Sequence, residues 1–153
     1  MRSSRLIILI LLFCFANNSF AIETSNIRKQ KVEIKEKSYI LLTYTSLACK
    51  DCFTNFIQAL RKFDKEIKIY CLIKRQKNVF ADKQIQVFAK NKFGLDSYFY
   101  DGDDSEKFEY SPNIIIMNKG EGTFIKYWKI FGEKNRVPAI KKNIKDYVLP
   151  LIQ

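Results

Sequence analysis

The sequence contains no histidine. This absence excludes Ser-His-Asp hydrolysis, Cys-His proteolysis, and zinc or haem sites that depend on an imidazole ligand. Glycine and proline are scarce, with five and three residues, so low-complexity linkers are missing as well. Neither G-x-x-x-x-G-K-[ST] nor G-x-G-x-x-G occurs, so the sequence shows no phosphate-binding loop. No internal repeat is visible either. The chemistry of the chain must therefore come from other residue types.

The charge of the chain is strongly unbalanced. Lysine and arginine number 27 against 16 acidic residues, which gives a formal net charge of +11. Such a charge can attract nucleic acid or an anionic membrane surface. The excess is mostly lysine, however, and it is spread along the chain rather than clustered in a patch. A compositional bias explains it better than polyanion binding, and we expect no nucleic-acid partner.

The first 21 residues have the pattern of a secretory signal. Arg2 and Arg5 precede an uncharged apolar run over residues 6–16, and the segment ends in Ser19-Phe20-Ala21. This pattern predicts cleavage after Ala21. The alternative is a retained anchor, although the run is shorter than the roughly 20 residues that a spanning helix needs. Cys14 follows the bulky Phe13, which disfavours lipoprotein processing, so we expect it to leave with the signal.

The remaining chain is predicted to be one α/β domain over residues 31–153, preceded by a flexible polar lead over residues 22–30. Apolar and alternating runs predict strands at Lys31–Lys35, Ser38–Thr45, Ile67–Ile73, Ser97–Tyr100, Asn113–Met117 and Thr123–Phe131. Helical periodicity begins at Cys49, with the stripe Phe53, Phe56, Ile57, Leu60 and Phe63. Further helices are predicted at Ala81–Phe93 and Val137–Leu149.

Two cysteines stand at the predicted strand-to-helix junction, in the motif Cys49-Lys50-Asp51-Cys52. Unpaired amides at a helix start favour an anion, so a cysteine there ionises more readily, and the thiolate is the form that attacks disulfides. Lys50 strengthens this effect and Asp51 opposes it. A redox-active dithiol is the favoured interpretation. A permanent stabilising disulfide and a metal site remain alternatives, although two thiolates make an incomplete zinc site.

With these features the chain resembles the thioredoxin superfamily, and within it the exported proteins of the TlpA type. The resemblance spans about residues 31–149 and rests on Cys49-x-x-Cys52, on Ser111-Pro112 before a predicted strand, and on the turn at residues 118–122. It implies a central mixed sheet flanked by helices, with an inserted segment over residues 79–109, between the dithiol helix and a cis-proline.

The resemblance also implies roles for individual residues. Cys49 is expected to be the nucleophile and Cys52 the residue that resolves mixed disulfides. Pro112 is expected to follow a cis peptide bond and to pack beside the dithiol. Ser111 is then expected to offer its backbone groups to a substrate strand.

The sequence departs from thioredoxin at the residues around the dithiol. The motif interior is Lys-Asp, and Ala48 stands where thioredoxins have tryptophan. Thr43 occupies the position of a buried acid that helps to deprotonate the second cysteine. The candidates for a replacement proton acceptor are Asp51, Glu33 and Glu36.

Two further groups of residues have both a structural and a functional interpretation. Cys71 lies within a predicted strand, so we expect a buried thiol, with mixed-disulfide chemistry as the alternative. A run of aromatic residues is predicted to pack in the core or at a sheet edge, with a substrate groove as the alternative. The run consists of Tyr98, Phe99, Tyr100, Phe108 and Tyr110.

These observations predict an exported thiol–disulfide oxidoreductase, periplasmic or secreted, that exchanges its Cys49–Cys52 pair with client proteins and needs no cofactor or metal. An unidentified redox partner would recharge the pair, and a membrane would be involved only if the signal is retained as an anchor. The alternative is a non-catalytic binding module that uses the groove near Pro112. A peroxidase is disfavoured, because Ser46-Leu47-Ala48-Cys49 only approximates the T-x-x-C pattern.

Overall fold

The computed structural model describes residues 22–45, 48–103, 105–132 and 137–152. The predicted signal over residues 1–21, including Cys14, lies outside the described residues. The strands are β1 (Ser38–Tyr44), β2 (Lys68–Lys74), β3 (Asp96–Tyr100), β4 (Ile114–Asn118) and β5 (Glu121–Ile125). The helices are α1 (Lys50–Leu60), α2 (Val79–Phe93), α3 (Tyr127–Phe131), α4 (Val137–Asn143) and α5 (Leu149–Ile152). A 3-10 turn (Ser105–Phe108) precedes β4, and a π-helical segment (Ile144–Val148) joins α4 to α5.

The strands form one mixed sheet in the order β3-β2-β1-β4-β5. β1 and β2 are parallel, and so are β2 and β3, whereas β4 is antiparallel to both β1 and β5. Each parallel pair is joined through a helix, as parallel pairing requires. β1 is therefore central, and the segment that follows its carboxyl end lies near the middle of that edge of the sheet.

The core lies on the two faces of this sheet, because side chains alternate along each strand. Ile40 and Leu42 of β1 belong to the larger cluster, to which every described α-helix contributes buried or partly buried side chains. Leu41 belongs to a smaller cluster on the other face, which Phe108 of the 3-10 turn and Ile34 help to cover. The predicted stripe from Phe53 to Phe63 is buried or partly buried in the larger cluster, with four of its residues in α1 and Phe63 just beyond the end of that helix, which confirms the stripe.

The helix α2 and the strand β3 form the segment that was predicted as an insertion between the dithiol helix and the proline. Asn78 caps α2 by accepting a hydrogen bond from the Phe80 amide at 2.9 Å. Gly94 ends the helix with φ of +69°, a conformation that glycine adopts without a steric penalty. The strand β3 then extends the sheet beside β2, so the helix and the strand predicted for this segment are confirmed.

Two predicted strands differ from the structure. Lys31–Lys35 forms no strand, since Lys31 makes only an isolated bridge with Ser25. The predicted strand Thr123–Phe131 is half wrong, because β5 ends at Ile125 and α3 begins at Tyr127. The reason is that Ile130 and Phe131 lie three and four residues after Tyr127, and that spacing brings all three onto the core in a helix.

The N-terminal segment contacts the edge of the sheet. Ser25, within the residues assigned to a flexible lead, exchanges backbone hydrogen bonds with Phe99 of β3 at 2.9 and 2.8 Å. The side chains of Thr24 and Ser25 are buried. None of the helices within the described ranges is long and apolar enough to cross a membrane.

Candidate active site

The two motif cysteines lie at the start of α1, a few residues beyond the end of β1. Cys49 is the N-cap of this helix, and its sulfur accepts a hydrogen bond from the Cys52 amide at 3.3 Å. The two residues form a disulfide, with their Cα atoms 5.3 Å apart. The helix start therefore directs an N–H group at the Cys49 sulfur, which favours its thiolate when the pair is reduced.

The two cysteines differ sharply in exposure. Cys49 is partly exposed, whereas Cys52 is fully buried at 0% exposure. This arrangement follows from the geometry of the helix, in which Cys52 lies one turn on and faces the core with Phe53 and Phe56. A disulfide or thiol from another molecule can thus reach Cys49 but not the buried Cys52.

The loop before β4 packs beside the dithiol. The peptide bond between Ser111 and Pro112 is cis, as predicted from the resemblance. The amide of Cys49 donates a hydrogen bond to the Ser111 carbonyl at 3.2 Å, and the Ser111 and Thr45 hydroxyls are 3.2 Å apart. The structure therefore brings Ser111 to Cys49, while the role of Ser111 and Pro112 in substrate binding stays a prediction.

Thr43, at the position where the resemblance implied a buried acid, has a structural partner. Its side chain is buried, and its hydroxyl accepts a hydrogen bond from the Asn113 amide at 2.9 Å. The Thr43 amide in turn donates to the Asn113 carbonyl at 3.0 Å. Thr43 therefore links Asn113, the residue after Pro112, to β1. Its hydroxyl is neutral, so it cannot accept a proton as a carboxylate would.

The acidic candidates for a proton acceptor are poorly placed. Asp51 is exposed in the first turn of α1, where its charge favours the helix N-terminus. Glu33 and Glu36 precede β1, whereas the dithiol follows its other end, so the proposal that either serves Cys52 is wrong. Glu36 instead lies beside the hydroxyl of Tyr70. Burial of Tyr70 raises the pKa of its hydroxyl most, and the hydrogen bond to the Glu36 carboxylate raises it further.

Tyr127 is the residue of this site that the sequence analysis missed. Its hydroxyl lies 3.3 Å from the sulfur of Cys52. Tyr127 lies in the middle of the strand that was predicted over Thr123–Phe131, and only its helical spacing from Ile130 and Phe131 could have indicated otherwise. Nothing in the sequence pattern links it to Cys52, since 75 residues separate the two.

Cys71 takes no part in this arrangement. It is fully buried in β2, and burial raises the pKa of its thiol while the neighbouring Ser97 hydroxyl opposes the shift. The prediction of a buried thiol is confirmed. Among the described residues, no group of three or more potential metal-ligating side chains occurs.

The aromatic run divides between core and surface. Phe99 and Phe108 are buried in the two core clusters, and Tyr98 and Tyr100 pack against the smaller one. Tyr110 is 67% exposed and lies next to Ser111 in the chain. The core interpretation therefore holds for four of these residues, and Tyr110 alone faces solvent beside the dithiol loop.

The difference in exposure predicts the order of alkylation in the reduced protein. Iodoacetamide should label Cys49 first, because it combines access with a helix N-terminus, and Cys52 and Cys71 should react only slowly. Mass mapping of peptides after brief labelling measures this order, and full labelling of the denatured protein is the control. Preferential labelling at Cys52 or Cys71 would contradict the assignment of Cys49 as the nucleophile.

Comparison with known proteins supports the fold. No family model and no curated protein matches the sequence. Among solved structures, the chain is similar to a thioredoxin-like protein from Porphyromonas gingivalis, with a TM-score of 0.50 and 14% identity, over 88% of this chain and 97% of that one. It is also similar to a candidate thiol-disulfide oxidoreductase from Bacteroides vulgatus, with a TM-score of 0.50 and 15% identity, over 72% of this chain and 79% of that one.

These similarities and the sheet topology define the class. The chain has a thioredoxin-like fold, a mixed five-stranded sheet with helices packed against it, and the resemblance noted in the sequence is confirmed at the level of the fold. The Cys49–Cys52 pair occupies the start of the helix that follows the central strand.

Proposed function

We propose that the protein is an exported thiol–disulfide oxidoreductase that exchanges its Cys49–Cys52 pair with disulfides or thiols of exported client proteins. The observation that carries this proposal is the pairing of a partly exposed Cys49 with a fully buried Cys52 at a helix start. A client disulfide would be attacked by Cys49, and Cys52 would then release the reduced client. The signal predicted over residues 1–21 supports export to the periplasm or the exterior.

Client binding is proposed at the loop that carries Ser111 and Pro112. The exposed rings of Tyr110 and Trp128 flank this loop, with centroids 6.4 Å apart and exposures of 67% and 54%. Trp128 follows Tyr127, whose hydroxyl contacts Cys52. Exposed aromatic side chains contribute contact area at low conformational cost, so this pair can hold an unfolded client chain beside Cys49.

Equilibration with glutathione tests the proposal. The Cys49–Cys52 disulfide should form and break reversibly across a series of reduced to oxidised glutathione ratios, and the reduced protein should accelerate reduction of insulin by dithiothreitol. Quenching with a thiol-reactive mass tag measures the first property, and insulin turbidity measures the second.

A second candidate function is a non-catalytic binding module that uses the same surface. Two observations favour it, namely the neutral Thr43 and the exposed Tyr110–Trp128 pair. A reversible disulfide with no acceleration of insulin reduction would support this module, and a disulfide that glutathione cannot reduce would contradict the oxidoreductase.

Replacing Trp128 by alanine should raise the KM for a disulfide-containing client peptide by about tenfold, as expected for an exposed aromatic anchor. The kcat should change little, because an indole ring takes no part in thiol–disulfide exchange and serves only to hold the client chain. Tyr147→Ala is the matched control, since Tyr147 is an exposed aromatic residue, 42% accessible, in the C-terminal π-helical segment. Equal KM values for Trp128→Ala and the native protein would show that this surface does not bind the client.

A further inference from the structure

The hydroxyl of Tyr127 donates a hydrogen bond to the buried sulfur of the dithiol. The distance between Tyr127 Oη and Cys52 Sγ is 3.3 Å. A disulfide sulfur has no hydrogen, so the hydroxyl must be the donor in the oxidised protein. The same hydroxyl is then in place to donate to a Cys52 thiolate after reduction.

Tyr127 is held in this position from both sides. Its amide donates to Asn113 Oδ1 at 2.6 Å, and its ring stacks on the buried ring of Phe131 with centroids 4.8 Å apart. The amide group of Asn113 is itself fixed, since its nitrogen donates to the carbonyls of Lys107 and Glu109 at 3.0 and 2.6 Å. The hydroxyl is therefore preorganised toward Cys52.

Cys52 requires such a partner because it reacts as an anion in a buried position. A thiolate at 0% exposure lacks the stabilisation that water would supply. Thr43 does not provide it: its hydroxyl accepts a hydrogen bond from the backbone amide of Asn113, and within the described residues it forms no hydrogen bond with Cys52. The charged residues near the dithiol are all exposed to solvent. They are Lys50 and Asp51 on α1, Lys129 on α3, Lys126 just before α3, and Glu109 two residues before Ser111.

We infer that Tyr127 stabilises the Cys52 thiolate in the step that resolves the mixed disulfide, in place of the buried acid of thioredoxins. In that step the Cys52 thiolate attacks Cys49 Sγ, and the Cys49–Cys52 bond forms as the bond between Cys49 and the client sulfur breaks. The client leaves as a thiolate and takes a proton from solvent. The pair is oxidised by two electrons and the client disulfide is reduced.

This inference rests on the proposed function, but it can be tested without a client. The probe is 5,5′-dithiobis(2-nitrobenzoate), mixed with reduced protein in a stopped-flow instrument. Cys49 releases the first aromatic thiolate in a bimolecular phase, and Cys52 releases the second in a unimolecular phase. Tyr127→Phe should leave the first phase unchanged and slow the second about threefold at pH 7, because losing a hydrogen bond to the charged sulfur lowers the thiolate fraction about tenfold while the more basic thiolate reacts about threefold faster.

The pH profile separates stabilisation of the thiolate from a merely structural role. At a pH above the pKa of Cys52 in both proteins, the second phase of Tyr127→Phe should be as fast as that of the native protein or faster, because the thiolate is then fully formed in each and a more basic thiolate is the better nucleophile. In protein labelled with ¹³Cβ-cysteine, the NMR titration of Cys52 should shift upward by about one pH unit in Tyr127→Phe. Tyr39→Phe is the matched control, since Tyr39 is a partly buried tyrosine at the opposite end of β1.

Equal second-phase rates for Tyr127→Phe and the native protein at pH 7 would overturn the inference. A slower second phase in Tyr127→Phe that persists at high pH would also overturn it, since that result indicates a displaced Cys52. Failure of the proposed function is distinguishable from both, because a native protein that does not accelerate insulin reduction can still show the two phases and their dependence on Tyr127.

Discussion

Replacing Cys49 by serine is expected to lower the rate of insulin reduction to the uncatalysed rate, because Cys52 and Cys71 are fully buried and cannot reach a client disulfide. Cys52→Ser should instead trap the client in a mixed disulfide with Cys49. Cys49 still attacks the client, but nothing remains to resolve the product, so a covalent adduct accumulates. Non-reducing electrophoresis after incubation with insulin measures the adduct, and dithiothreitol should release it.

Cys71→Ala is the matched control for these two variants. Cys71 is fully buried in β2, so its loss should lower stability modestly and leave the rate of insulin reduction unchanged. If Cys49→Ser retained activity, or if Cys71→Ala abolished it in a folded protein, the assignment of the dithiol would be wrong. An adduct that forms equally well with Cys49→Ser would identify Cys52 as the attacking residue instead.

The largest effect on stability is expected from Asp82→Ala, at the start of α2. The side chains of Asp82 and Arg75 are 1% and 8% exposed, and they form an ion pair with Arg75 Nη1 3.4 Å from Asp82 Oδ2. Asp82 Oδ1 also accepts a hydrogen bond from the Gln76 amide at 2.8 Å. Loss of the carboxylate leaves a buried cation with fewer partners, which costs about 3–5 kcal/mol in the free energy of unfolding.

The buried guanidinium of Arg75 amplifies this cost because it connects several segments. Its Nη2 donates to Ser25 Oγ and to the Asn26 carbonyl, both at 2.7 Å, and it forms an ion pair with Asp101 at the end of β3. Its charge also lies over the Phe99 ring, with Cζ 4.6 Å from the centroid. Removing Asp82 is therefore expected to loosen the contact between the N-terminal segment and β3 as well.

Urea unfolding of the oxidised protein measures this prediction. Lys90→Ala is the matched control, because it removes an ion pair with Asp96 at the surface, whose side chains are 57% and 68% exposed. Exposed pairs contribute roughly 0–1 kcal/mol, so this variant should unfold close to the native midpoint. Similar losses in the two variants would show that the Arg75–Asp82 pair is no more important than a surface pair.

Much of the fold could be predicted from local pattern. The apolar runs around Leu42 and Cys71 predicted the two central strands, and the stripe from Phe53 to Phe63 predicted the dithiol helix, because their spacing matches the periods of strand and helix. The prediction was wrong at Lys31–Lys35 and after Ile125. In both places local alternation resembled a strand, but neither segment finds a partner strand over its length.

The candidate site was predictable only in part. The spacing of Cys49 and Cys52 and their place at a strand-to-helix junction determined which of them is accessible, since one helical turn separates an N-cap from a residue that faces the core. The cis peptide bond before Pro112 was predictable from the resemblance alone. No local rule distinguishes that proline from one that begins an ordinary strand.

The sequence by itself determined the dithiol, the orientation of its helix and the neutrality of the residue at position 43, because each depends on residues close together in the chain. Only the tertiary structure decided what surrounds Cys52. Tyr127 reaches its sulfur because Asn113 accepts a hydrogen bond from the Tyr127 amide while the Asn113 amide donates to the Thr43 hydroxyl. These contacts join β1 and α3 to the residue just before β4. Pairing across such separations depends on how the elements pack, which the pattern of any one segment does not encode.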